Sequence, residues 1–292
     1  MPSTTARISG PTILAVLLFE TLALFLRAWL QSELQEDGRS ARFSADVSYL
    51  LVPPLLIALA WPLLRRHRTF LGHQFSAANL TLRIVLLSAI IGVLLRVAWW
   101  AQLIGGGLLG IHGQADLDLP RGPSFRFDCP PAPVLWLYLF VMALLVPVTE
   151  ETIHRGFVLH GLLRWGPLPA AVGSSVIFGL RHDPSTILPA MVGGGVLAIV
   201  ALRSRFIWPG IIAHLTYNGI IALDWICLQA IWNPRDLTPL HHSLGAISIL
   251  LWVACIGASL RIAWRLVPPL DGAPAPAGIV RMQSPPFRSR AK

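Results

Sequence analysis

The chain has 292 residues, of which 54% are hydrophobic and only 13% charged, with a mean hydropathy of +0.64. A soluble domain carries roughly 25% charged residues, so this composition excludes one and describes an integral membrane protein. The formal charge of +9 comes from arginines scattered between apolar runs, a pattern of membrane topology that argues against a nucleic-acid partner.

Taken in order, the apolar runs predict a polytopic all-α bundle of about eight transmembrane helices. Residues 11–30 form an uncleaved first span: the run is too long for a signal h-region and carries Glu20 and Arg27, two turns apart, expected to neutralise each other. Residues 31–46 read as a polar loop on the non-cytoplasmic side. The second span, 47–64, ends in Arg65-Arg66-His67-Arg68, a cytoplasmic anchor by the positive-inside rule. A third span, 83–104, contains Arg96 beside Trp99 and Trp100 and is expected to stop at Gly105-Gly106-Gly107, with its aromatics at an interface. The Gly- and Pro-rich loop up to residue 133 reads as irregular, with His112, Asp116 and Asp118 as solvated residues.

The fourth span starts near residue 134 and carries Glu150-Glu151-Thr152-Ile153-His154-Arg155. Pro147, one turn ahead of Glu150, removes a backbone hydrogen bond and invites a kink or a water there. A short span over 168–182 ends in Phe178-Gly179-Leu180-Arg181-His182. Asp183-Pro184 then starts a sixth helix, with Gly193-Gly194-Gly195 for close packing. The seventh span, 207–230, holds His214-Leu215-Thr216-Tyr217-Asn218. A polar turn at 233–236 leads to the last span, 243–266, and residues 267–292 form a Pro-rich, disordered tail. The chain thus divides into an N-terminal region (1–133), a core (134–230), a final span (231–266) and the tail. Eight spans and the arginine distribution put both termini in the cytoplasm. Arginine in all but one of the 23 basic residues suggests a GC-rich bacterial genome, hence an inner membrane.

Carboxylates, imidazoles and amides are costly in hydrocarbon, so they face a bundle interior or a wet cavity and mark function by default. On a helix, Glu150 and His154 share one face, and Glu151 and Arg155 make a second pair oriented as an ion pair prefers. His214 and Asn218 repeat the interval of four, as do Phe178 and His182, so three helices could aim polar groups at one point.

Glu-Glu-x-x-x-Arg, then Phe-x-x-x-His, then His-x-x-x-Asn, each in a hydrophobic helix, resembles the CAAX prenyl protease type II and bacteriocin-processing family of intramembrane endopeptidases. Its eukaryotic branch includes the Ras-converting enzyme, and the likeness covers roughly residues 134–227. The resemblance implies a protease acting on a membrane-associated protein or peptide, with Glu150, His182, His214 and Asn218 in catalytic roles. His154, at a position more often apolar in the family, and Arg181 are departures from its pattern.

Peptide hydrolysis needs a base for water and donors for the oxyanion. With no framed Ser or Cys nucleophile, water attacks: Glu150 is the expected general base, His182 holds the water, and His214 and Asn218 face the oxyanion. Glu151 and Arg155 support them as an ion pair. Phe157 and Phe178 are expected to line a groove for a lipidated or transmembrane substrate. No cofactor is required, although Glu150, His182 and His214 are a chemically reasonable Zn²⁺ set. Cys129, Cys227 and Cys255 form neither a close pair nor a C-x-x-C, so they build neither a disulfide framework nor a zinc site. The open alternative is a non-catalytic membrane protein, a transporter or an assembly or immunity partner, in which the same polar groups join helices or line a pathway.

Overall fold

The computed structural model describes residues 8–38, 41–108, 124–127, 132–182, 184–226, 228–231 and 241–266. His112, Asp116, Asp118, Cys129, Asp183, Cys227, the turn at 233–236 and the tail lie outside them.

Helix α1 (Gly10–Glu36) is capped by Ser9, whose hydroxyl accepts the Thr12 N–H at 3.3 Å, with Pro11 in the first turn where its missing N–H costs nothing. It pairs with α2 (Ala41–Arg66). The polar stretch predicted as a loop over 31–46 is therefore mostly helix, because nothing in 31–36 breaks the backbone ladder. A short α3 (Arg68–Gln74) follows. Helix α4 (Leu82–Leu108) runs through Gly105-Gly106-Gly107 instead of stopping there. A Cβ at Gly105 would sit 3.0 Å from Ile249, so this glycine lets α11 (His241–Arg265) press against α4.

The fourth apolar run forms one rod with changing winding. It passes from α5 (Ala132–Tyr138) through a π-helical stretch (Leu139–Leu145) to α6 (Val146–Glu151). A second π-helical stretch (Thr152–Leu159), α7 (His160–Leu162) and a 3₁₀ turn (Leu163–Trp165) complete it. Gly166, at φ 102°, turns the chain into α8 (Pro167–Gly179), and α9 (Ile187–Ser204) and α10 (Trp208–Ile226) follow. One small antiparallel ribbon is added to the helical bundle: β1 (Ser124–Phe127) pairs with β2 (Leu228–Ile231), Phe125 opposite Ala230.

Helix α9 separates two apolar cores. Ala198 and Ala201 pack with Ile13, Val16, Leu56 and Phe157, while Val196, Leu197 and Val200 pack with Ile91, Leu95, Ala213 and Ala263. Among the described residues, six helices are long and apolar enough to cross a membrane, with Leu14, Phe25, Trp136 and Leu250 among the large side chains left outward. Two of the eight predicted spans fall short of that standard. The 13 residues of α8 are too few, and the polar residues of α10, His214 and Asn218 among them, dilute its hydropathy.

Candidate active site

The site begins at a missing proton. In the first π-helical stretch the Val146 N–H bonds back to the Val141 carbonyl, five residues earlier. The next bond in that register would run from residue 147 to Met142, but Pro147 has no N–H to give. Asn218 of α10 fills the gap, its Nδ2 donating to the Met142 carbonyl at 2.9 Å. The irregularity foreseen at Pro147 is thus a docking point for a side chain from another helix.

One residue beyond Glu150, Glu151 is sealed from solvent. Its Oε1 faces Arg155 Nη1 and His214 Nδ1, each at 3.0 Å, and Arg155 Nη2 donates to the Gly194 carbonyl at 3.1 Å. Burying these charges is tolerable only because they are paired. An ionised Glu151 only accepts, so His214 donates from Nδ1, which leaves Nε2 facing Glu150 Oε2 at 3.6 Å. Gly210, one turn before His214, makes the approach possible, since a Cβ there would come within 2.9 Å of Glu151 Oε2.

Glu150 itself keeps 28% of its side-chain surface, room for water against the carboxylate. His182 follows the last turn of α8, and its Nδ1 donates to the Phe178 carbonyl at 3.0 Å. A carbonyl can only accept, so neutral His182 presents an Nε2 lone pair. The Phe178 ring lies 4.7 Å from that of His182, 5.0 Å from His154 and 6.1 Å from His214, with the Arg155 guanidinium 4.5 Å over its face. Glu150, Phe178, His182, His214 and Asn218 all line one cavity of about 250 Å³, space for several waters. No grouping of three His, Cys, Asp or Glu side chains suited to a metal occurs among the described residues, and His214 Nδ1 is engaged by Glu151.

Comparison with known proteins bears on this segment. Residues 132–220 match the family model for type II CAAX prenyl endopeptidase Rce1-like proteins. Over that segment the chain is similar to the Rce1-like family. The match begins at α5 and ends within α10, leaving α1–α4 and α11 outside it. No curated protein and no solved structure matches the chain.

Several expected placements change. Phe157 does not reach the cavity: it is 1% exposed and packs against His67 and Phe70 with ring centroids 5.8 and 6.4 Å apart. In an α-helix it would share the face of Glu150, seven residues earlier, but the wider winding of Thr152–Leu159 advances each residue by less than an α-helical step and turns Phe157 away. His154 pairs with Glu20 rather than Glu150, at 3.1 Å, and Arg27 stacks 3.5 Å over Tyr49 instead of neutralising Glu20. Arg96 was given no role by the sequence. It is 2% exposed and lines the cavity with Trp99, Gln102 and Tyr217. The signal for Arg96 was the one that singled out Glu150: a charged group inside an apolar run.

Proposed function

We propose that the protein is an intramembrane endopeptidase that hydrolyses a peptide bond in a membrane-associated protein or peptide by water activated at Glu150. The match to the Rce1-like family supports a membrane-embedded protease in general terms. The finer assignment rests on one observation: four polar side chains, one from α6, one from the turn after α8 and two from α10, line a single cavity.

In this reading a water donates one hydrogen to Glu150 and the other to the Nε2 lone pair of His182, which turns its oxygen lone pair toward the scissile carbonyl. Glu150 takes the proton as the C–O bond forms. The oxyanion is met by the second Nδ2 hydrogen of Asn218, whose first is fixed on Met142, and by His214 Nε2 when that nitrogen carries a proton. Glu151 and Arg155 hold His214 from behind. Phe178 contributes to the cavity wall on which an apolar substrate segment rests. Catalysis is carried by these side chains without a resident metal; a bound Zn²⁺ would supply Lewis-acid activation of the water. The substrate is lipid-anchored or membrane-spanning, and the arginine distribution orients both termini toward the cytoplasm.

The test is reconstitution of the full chain in liposomes with two probes, a farnesylated peptide ending in a CAAX sequence and an unlipidated single-span peptide. Cleavage of either by wild type, lost in Glu150→Gln and His214→Ala, supports the reading; no cleavage, or equal cleavage by all three proteins, overturns it. Activity surviving exhaustive chelation supports the metal-free form, and loss restored by Zn²⁺ overturns that part alone.

A further inference from the structure

Behind the cavity wall, a carboxylate from α1 meets an imidazole and a guanidinium that the chemistry above does not use. Glu20 is 5% exposed, on an otherwise apolar membrane helix. Its Oε1 lies 3.1 Å from His154 Nε2 and its Oε2 ion-pairs with Arg181 Nε at 3.2 Å. Arg181 reaches one residue further and donates from Nη1 to the Thr21 hydroxyl at 2.7 Å. The two residues that depart from the family pattern, His154 and Arg181, therefore land on the same carboxylate. Taking charges out of water costs several kcal/mol per ion even in a protein, so this trio, with Glu20 and His154 buried and Arg181 18% exposed, is a weak source of stability.

The geometry gives the trio a different use. Arg181 immediately precedes His182 in a turn held by backbone bonds from Arg181 N–H to the Phe178 carbonyl (3.2 Å) and from His182 N–H to the Gly179 carbonyl (3.0 Å). Fixing the Arg181 side chain on α1 fixes that turn. His154 acts by a second route: its ring stands edge-on to Phe178, which packs against His182, and the hydroxyl of Ser174 in α8 donates to the His154 carbonyl at 2.9 Å. Both routes start at Glu20 and end at His182.

We propose that Glu20 is a positioning residue: it locks the His182 imidazole toward the cavity through Arg181 and His154, which makes α1, outside the matched segment, a working part of the site. This rests on the reading of His182 as the group that holds the attacking water.

The experiment compares wild type, Glu20→Gln and the apolar triple variant E20L/H154F/R181L, reconstituted with the same farnesylated and single-span peptides. A misplacement on the order of 1 Å costs up to about 10²-fold in rate. The expected result is a kcat lowered about tenfold in Glu20→Gln and further in the triple variant, with KM within about twofold of wild type. The triple variant, freed of buried charge, is expected to melt at or above the wild-type temperature. A merely structural role predicts that it regains wild-type turnover with its stability, which would overturn the proposal. A second readout needs no substrate: hydrogen exchange at the amides of residues 178–182 should quicken about tenfold in both variants. Unchanged exchange overturns the clamp. Cleavage unaffected by Glu150→Gln would instead remove the proteolytic reading, and the exchange measurement would still decide whether Glu20 orders the turn.

Discussion

The two sides of the α6 wall hold neighbouring carboxylates in opposite circumstances. On the cavity side Glu150 keeps 28% of its surface and meets His214 Nε2 at 3.6 Å; on the far side Glu151 is wholly buried between Arg155 and His214 Nδ1, each at 3.0 Å. One side is wet and loosely held, as a group that must exchange protons has to be. The other is dry and doubly paired through its Oε1, as a group that fixes its neighbours has to be. The difference of one residue in a helix, a turn of 100°, separates the proposed general base from its proposed support. His214 joins them, with one ring nitrogen on each side.

Substitutions can break that contrast, beginning with the largest effect. Glu150→Gln should lower kcat by about 10³-fold or more while leaving the melting temperature of the detergent-purified protein unchanged, since no tight pair is lost. Glu151→Gln should do the reverse in kind. It strands the buried Arg155 charge and should cost about 3–5 kcal/mol of stability, read as a large drop in melting temperature. Equal effects of the two substitutions on both measurements would erase the distinction between the sides. Pro147→Ala returns an N–H to the π-helical register and offers Met142 a backbone donor in place of Asn218. Turnover should fall roughly tenfold, less than the ~10²–10³ expected for deleting an oxyanion donor outright, with stability the same or slightly higher. Smallest is Phe157→Leu, which should cost about 1 kcal/mol and leave both kcat and KM as they are, because this ring belongs to the core and not to the cavity.

The bundle and the cavity-lining residues Glu150, His182, His214 and Asn218 were legible in the sequence for one reason: ionisable and amide groups stand out in apolar runs. The rod's winding was not. A π-helical turn has no hydrophobic signature of its own, so a 3.6-residue period put Glu150 with His154, and nothing in the sequence showed that Phe157 faces the core. The partners of Glu20 were illegible for another reason. Thr21 and Arg181 are 160 positions apart, as are few pairs that a local reading considers, and the nearer Arg27 offered a simpler match. Arg96 carried the right signal, but the interface reading of its neighbours Trp99 and Trp100 left it without a role, whereas it lines the cavity beside Trp99. The glycines at 105–107 were read as a stop because a helix breaker and a helix-packing notch look identical until the opposing helix is known.

The shortness of α8 matters beyond the count of spans. Thirteen residues at 1.5 Å each make a rod of about 20 Å, whereas the hydrocarbon slab is about 30 Å deep. Trp165, just before it, and Leu168 in its first turn face outward, and a tryptophan favours the headgroup level. His182, just past its other end, then hangs at a depth where lipid chains would otherwise close over it. A rod of that length crosses the slab only where the bilayer beside it dimples by roughly 10 Å or lets a column of solvent in, and either one would bring to His182 the reagent that oil excludes.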